Sequence, residues 1–237
     1  MTDFGPTPSS FPPTPPPPMP PSSRLGPPWE GTDGPPLQRW IDTAKGVLLD
    51  PMTTFTNMRR EGGLGAPLAY YLIGLAVSVA AALLWHLVGF GAAMPGMMGG
   101  GGRAMAGAAM GIGFILVGLP LLQICGLFIG TAIIHVLLML FGGQKYGFET
   151  TFRTIAYTHG SVAPLSLVPM CGGLIAAVWA IVCLVIGLAQ MHETTTGKAA
   201  AAVLVPIVLC CGLAILFAGA LATMAGFAAA GAAHGIQ

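Results

Sequence analysis

Residues 154–191 read TIAYTHGSVAPLSLVPMCGGLIAAVWAIVCLVIGLAQM, and none of these 38 positions carries an Asp, Glu, Lys or Arg. A second uncharged run of the same length covers residues 104–141. An α-helix needs about 20 consecutive apolar residues to cross the roughly 30 Å hydrocarbon core of a bilayer. Each run is therefore long enough for at least one crossing, and the chain is predicted to be an all-α integral membrane protein.

The composition of the whole chain agrees with a lipid environment. Of the 237 residues, 54% are hydrophobic and only 7% are charged, whereas soluble domains carry about 25% charged residues. The net charge of +1 provides no basic field that would attract nucleic acid. The five cysteines lie in apolar runs and lack the spacing of a zinc site. We find no catalytic, cofactor-binding or metal-binding motif, and we expect a protein that is not an enzyme.

The residues before the apolar runs divide into two parts. Residues 1–36 contain 14 of the 21 prolines and are predicted to be a disordered cytoplasmic tail, either a spacer or a ligand for proline-binding domains. Residues 37–61 are predicted to form two short amphipathic juxtamembrane helices, because apolar residues recur there at helical spacing. Asp50 followed by Pro51 is a typical end of one helix and start of the next. These helices would lie in the headgroup region or pack on the membrane domain.

Five spans are predicted within a membrane domain at residues 66–231, at about 68–90, 116–141, 150–168, 171–191 and 199–228. Pro164 and Pro169 separate the third span from the fourth. With a cytoplasmic N-terminus, eight of the nine basic residues lie inside and only Arg103 lies outside, as the positive-inside rule requires. The sequence therefore predicts a cytoplasmic N-terminus and an external C-terminus.

Three polar side chains inside the predicted spans are candidates for a functional role: Gln123, His135 and His159. Intramembrane ionisable groups are costly and are often functional. Each histidine is either neutral and satisfied by one hydroxyl or carbonyl of a neighbouring helix, or part of a proton relay. Elsewhere in these spans, Gly126 and Gly130 form a G-x-x-x-G pattern, which favours close helix packing within the chain or between two copies.

Several short motifs follow one another in a recognisable order: GFETTFRTIAY at 147–157, the segment from Pro164 to Pro169, GGLI at 172–175, Trp179, His192 and TGKA at 196–199. Together with Trp40 to Pro51 and the glycines at 62 and 63, this set resembles the Yip domain family, and its bacterial branch in particular. The resemblance covers about residues 37–210 and implies five membrane helices in a bacterial inner membrane. Eukaryotic relatives bind prenylated Rab-type GTPases and take part in vesicle traffic.

Motif residues on the cytoplasmic side are the candidate site residues: Trp40, Asp50, Pro51, Phe148, Phe152, Arg153, Tyr157 and Lys198. They favour a non-enzymatic membrane adaptor or organiser, in contact with the lipid bilayer and with an unidentified cytoplasmic protein. A homo-oligomer is a further alternative. A different function, a small transporter or channel component, would use the broken span between Pro164 and Pro169. That function requires His135 and His159 to face one polar cavity.

Overall fold

The computed structural model describes residues 24–88 and 110–234. Within them lie the α-helices α1 (Pro36–Leu49), α2 (Pro51–Asn57), α3 (Gly65–Leu87), α4 (Leu119–Leu140), α5 (Phe148–Val162), α6 (Gly172–Met191) and α7 (Thr196–His234). Two 3₁₀ turns, Pro28–Glu30 and Ala163–Leu167, and a π-helical segment, Phe114–Gly118, accompany them, and no strand occurs in the described ranges. The all-α prediction is confirmed there. Residues 1–23, most of the predicted tail, lie outside the described residues.

The two short helices predicted between residues 37 and 61 correspond to α1 and α2. Asp50 caps α2, since its carboxylate accepts a hydrogen bond from the Thr53 backbone N–H at 3.2 Å, and Pro51 is the first residue of that helix. The apolar face of α1 packs on the bundle, because Trp40 is buried and its Nε1 donates to the carbonyl of Tyr70 at 3.3 Å. The structure thus places these helices against the membrane domain.

Four helices, and not the predicted five, are long and apolar enough to span a bilayer in the described part of the chain. They are Gly65–Leu87, Met110–Leu140, Gly172–Met191 and Thr196–Met224. The predicted third span at 150–168 is wrong as an apolar span. Its helix, α5, has only 15 residues, about 22 Å at 1.5 Å per residue, and it is rich in hydroxyl-bearing side chains.

The helix α5 is the most enclosed element of the bundle and packs against α1, α3, α4 and α6. From Thr150 to Val162 every residue except His159 is buried. Buried hydroxyls need hydrogen-bond partners, and α5 supplies some of them itself, since the Thr154 hydroxyl donates to the Thr150 carbonyl at 2.9 Å. The apolar helices around α5 therefore shield a polar helix from lipid.

A glycine pair allows α3 and α5 to touch backbone to backbone. A Cβ added to Gly74 would lie 2.7 Å from both the Cα and the carbonyl oxygen of Gly160. The G-x-x-x-G pattern behaves differently, because a Cβ on Gly126 or Gly130 would meet no heavy atom within 4 Å. The prediction that this pattern packs within the chain is wrong, since the close helix contact lies at Gly74 and Gly160.

Helix ends that carry charge meet at one end of the bundle. The Gly63 N–H donates to Glu149 at 2.6 Å, which joins the starts of α3 and α5. Arg60 Nε donates to the carbonyl of Met191 at 2.9 Å, which brings the end of α6 to the same place. Lys198 Nζ donates to the Gly142 carbonyl at 2.9 Å, which adds the end of α4 and the start of α7.

We call this region the polar end, comprising residues 24–31, 57–64, 141–153 and 190–198. At the opposite end, Trp85 Nε1 donates to the carbonyl of Ser166 at 3.1 Å, which joins the end of α3 to the 3₁₀ turn after α5. The α3 and α5 helices therefore run in the same direction, from the polar end to the opposite end.

Candidate functional site

A cluster of opposite charges surrounds Glu193 at the surface of the polar end. Its carboxylate forms ion pairs with Arg60 and Lys145 and lies 3.8 Å from Arg24. The hydrogen bond from Lys145, followed by that from Arg60, lowers the pKa of Glu193 to about 2. The Arg60 guanidinium also stacks 3.9 Å from the centre of the Tyr146 ring. Three cations for one carboxylate leave this cluster with excess positive charge.

Beneath that cluster, a chain of hydrogen bonds joins two histidines. Nδ1 of His192 accepts from the backbone N–H groups of Lys145 and Tyr146, at 3.4 and 3.3 Å. Its Nε2 lies 2.9 Å from the Thr151 hydroxyl oxygen, which lies 2.8 Å from Nδ1 of His135.

The two backbone donors fix the direction of this chain. Because Nδ1 of His192 accepts, the proton of the neutral ring is on Nε2, which donates to Thr151. The Thr151 hydroxyl is then free to donate to His135. Burial, followed by the proximity of His135 and then the positive charge of Arg60, keeps His192 neutral by lowering its pKa to about 4. His135 thus has one hydroxyl of a neighbouring helix as its partner.

The third feature of the polar end is a fully buried ion pair. The Arg153 side chain is 0% exposed and its Nη2 pairs with Glu30, which is 7% exposed. Its other nitrogens donate to the carbonyls of Arg59 and Gly63, at 2.8 and 3.1 Å. The Tyr157 hydroxyl donates to the same Glu30 oxygen at 2.5 Å. Two donors therefore converge on one carboxylate oxygen, and we call Arg153 and Tyr157 the carboxylate cradle.

Inside the bundle, two adjoining cavities of about 350 and 450 Å³ share the residues Tyr71, Gln123, His159, Leu184 and Ile207. Their walls are mostly apolar. His159 donates from Nδ1 to the carbonyl of Ile155 at 3.0 Å, so its partner belongs to its own helix. His135 lies in the chain with Thr151 and lines neither cavity. The two predicted histidines are therefore not brought together, while Gln123 and His159 are.

A family model, the Yip1 domain, matches residues 45–230. The chain belongs to the Yip1 domain family. The predicted family is thereby confirmed. No curated protein and no solved structure matched the chain in the comparisons.

The remaining predicted site residues have mainly structural contacts in this Yip1 domain. Phe148 and Phe152 stack along one face of α5 with ring centres 6.3 Å apart. Lys198 borders a cavity of about 520 Å³ at the polar end, which His192 and Glu193 also line. Trp40, Asp50 and Pro51 serve the packing and capping of α1 and α2, as described above.

Sequence reasoning missed the partner of Arg153. Glu30 lies 123 positions away, within the proline-rich stretch and outside the matched Yip1 domain. Thr151 was also missed, although it stands two residues before Arg153 in the motif. The one local signal for Glu30 was the Trp29-Glu30 pair, an aromatic and an acid among prolines and glycines.

Proposed function

We propose that this Yip1-domain protein is a non-enzymatic membrane adaptor or organiser whose partners bind at the polar end. The observation that carries the proposal is the placement of charge. All charged residues between residues 110 and 224 fall at the polar end: Lys145, Glu149, Arg153, Glu193 and Lys198. The cavities inside the bundle are walled mostly by apolar groups, so the groups able to recognise a polar partner are concentrated at one face.

The polar end faces the cytoplasm in this proposal. Eight of the nine basic residues then lie inside. The proposed position of the C-terminus is outside, and the path of α7 supports it, because this helix starts at the polar end and runs away from it. We expect activity from a reporter that is fused after Gln237 and that functions only on the outer side of the membrane. Activity of an inside-only reporter at that position would refute the orientation.

The alternative function, a small transporter or channel component, is not favoured by the contacts of its two histidines. It depends on His135 and His159 facing one polar cavity, and the two side chains have separate surroundings. His135 bonds to Thr151, and His159 bonds within its own helix beside apolar walls.

Site-specific photo-crosslinking in the native membrane tests the adaptor proposal. A photoreactive residue replaces Lys145, whose side chain is 57% exposed at the polar end, and in a matched variant it replaces Met170, which is 90% exposed and adjoins the opposite end. Protein adducts are expected from position 145 and not from position 170. Identical adducts from both positions, or lipid adducts alone at both, would sink the proposal.

A further inference from the structure

A short segment that precedes the Yip1 domain lies across the polar end. Residues 24–31, which we call the strap, contain the 3₁₀ turn Pro28–Glu30. The Arg24 guanidinium donates to the carbonyl of Phe55 at 3.1 Å, and Gly26 N–H donates to the carbonyl of Asn57 at 3.1 Å. At the far end of the strap, Glu30 enters the carboxylate cradle.

Between these two ends, Trp29 anchors the strap. Its Nε1 donates to the Ala66 carbonyl at 2.8 Å, and its backbone N–H donates to the Thr43 hydroxyl at 2.8 Å. The ring meets Tyr70 edge-on with centroids 5.9 Å apart. Leu25 is 82% exposed, whereas the Trp29 ring packs against the buried cluster that contains Trp40 and Tyr70, so the strap is held by polar contacts and by this one aromatic anchor.

The carboxylate cradle needs an anion because its guanidinium is buried. Arg153 is completely buried, and apart from Glu30 it has one longer ion pair, at 3.7 Å, with the partly exposed Glu149, whose carboxylate also accepts from the Gly63 N–H. A buried guanidinium without a closely paired anion is strongly disfavoured. Tyr157 adds a second donor aimed at the same oxygen. The pocket is therefore built to hold a carboxylate.

The cradle and its occupant come from different parts of the chain. Arg153 and Tyr157 lie inside the matched Yip1 domain at 45–230, whereas Trp29 and Glu30 lie before it. The residues that connect the strap to α1, from Gly31 to Pro35, are exposed. A short segment outside the matched domain that is joined to it by an exposed connection can leave its site without unfolding the domain, provided that another carboxylate takes its place.

We propose that the strap is an exchangeable ligand carried in cis, and that the groove beneath it is a docking site for a partner segment presenting an aromatic residue followed by a carboxylate. This inference rests on the proposed adaptor function, since it names the chemistry of a partner at the same face. The strap competes with partner segments for this groove at the high effective concentration of a tethered ligand. Segments that bind weakly or lack the matching side chains are therefore excluded from the groove.

Peptide exchange on the full chain in lipid nanodiscs tests this assignment. A site-specific protease sequence is inserted between the exposed Thr32 and Asp33, and the folded protein is then cut. A fluorescent peptide of residues 24–34 is expected to bind the cut chain. The same peptide with Glu30→Gln or with Trp29→Ala should bind at least ten-fold more weakly, and the uncut chain should bind none of the three measurably. Equal binding of the wild-type and Glu30→Gln peptides, or no exchange by a cut chain that remains folded, overturns the inference.

A second measurement uses the uncut chain and tests the proposal even if cleavage unfolds the protein. Pro27 is a buried residue of the strap itself. In the uncut Pro27→Cys variant, the thiol reports strap release through labelling by a water-soluble maleimide, which is read at position 27 by peptide mapping. Adding Glu30→Gln is expected to raise the labelling rate at least ten-fold. An unchanged rate overturns the proposal.

Three further outcomes separate the hypotheses. If differently tagged copies co-purify in a manner that requires Glu30, the occupant is the strap of a second copy, and the partner assignment is overturned. If exchange fails while crosslinks at position 145 persist, only this inference falls. If exchange succeeds while those crosslinks are absent, only the proposed function falls.

Discussion

The contact between α3 and α5 provides the sharpest test of the fold, through the substitution Gly74→Ala. The new Cβ would stand 2.7 Å from the Cα and the carbonyl oxygen of Gly160, whereas ordinary contacts lie at 3.4–4 Å. Both obstructing atoms belong to the backbone, so no side chain can rotate away. The helices must separate by about 1 Å, which also strains the hydrogen bond between the hydroxyls of Tyr70 and Ser161, now 2.7 Å long.

Overpacking of this kind typically costs about 1–3 kcal/mol of the free energy of unfolding. For a protein of this size, that corresponds to a melting temperature lower by roughly 3–10 °C. Gly126→Ala is the matched control, because it lies in a predicted packing motif but its Cβ would meet nothing within 4 Å. Alanine is favoured over glycine in a helix by about 0.5–1 kcal/mol, so this control should be neutral or slightly stabilised.

Thermal unfolding in one detergent, followed by tryptophan fluorescence and by loss of the monodisperse gel-filtration peak, measures both variants. Equal melting temperatures for Gly74→Ala and Gly126→Ala would show that α3 and α5 are not in backbone contact. The placement of α5 within the bundle would then be wrong.

Three further predictions concern the polar end. As the pH falls from about 6.5 to about 4, His192 is protonated in unfolded chains before it is protonated in the folded protein, so the free energy of unfolding should fall by up to about 3 kcal/mol. The variant His192→Gln should show a weaker dependence of the free energy of unfolding on pH, and an unchanged dependence would contradict a neutral buried histidine. Thr151→Val should lower the free energy of unfolding by about 1–3 kcal/mol because it leaves two histidine nitrogens without a partner. Its control, Thr158→Val, should be neutral or stabilising, since the Thr158 hydroxyl is buried without a hydrogen-bond partner; equal effects of both variants in thermal unfolding would refute the hydrogen bonds from Thr151 to the two histidines. Arg153→Met or Glu30→Met alone should cost about 3–5 kcal/mol, and the double variant less than the sum of the two; strictly additive losses in the same assay would mean that the two side chains do not interact.

The membrane character, the capped short helices and the gathering of charge at one end could all be predicted from the sequence. These features depend on composition and on local spacing, which the chain displays directly. Asp50 followed by Pro51 is an example, because a cap and its helix are neighbours in sequence. The family could also be identified from short ordered motifs.

The nature of α5 could not be predicted in this way. The span count treated residues 150–168 as a membrane span like the other four. Thr151 and Thr154 are instead shielded by the surrounding helices, and their hydroxyls bond to His192 and to the Thr150 carbonyl. Hydropathy reports the cost of exposure to lipid, and it contains no information on which helix is enclosed by the others.

Contacts between residues far apart in the sequence could not be predicted for a related reason. Glu30 and Arg153 are 123 residues apart, and no periodicity connects them. The close glycine pair, Gly74 and Gly160, also joins two different helices. A small-x-x-x-small pattern such as Gly126 to Gly130 is visible in one helix, but it does not reveal which face another helix covers.

The enclosure of α5 explains why the candidate site lies at the polar end and not in the middle of the bilayer. Towards the middle of the bundle, polar groups of α5 bond within the helix or to α3, as the Thr154 hydroxyl does to the Thr150 carbonyl and the Ser161 hydroxyl to Tyr70. The first turns of α5 have an alternative, since they adjoin the strap and the connections α4–α5 and α6–α7. Arg153 and Thr151 lie in those turns and take their partners, Glu30 and His192, from outside the apolar spans. In the proposed exchange of Glu30 for a partner's carboxylate, only these first turns would change partners, and the contacts of the membrane helices with one another would stay as they are.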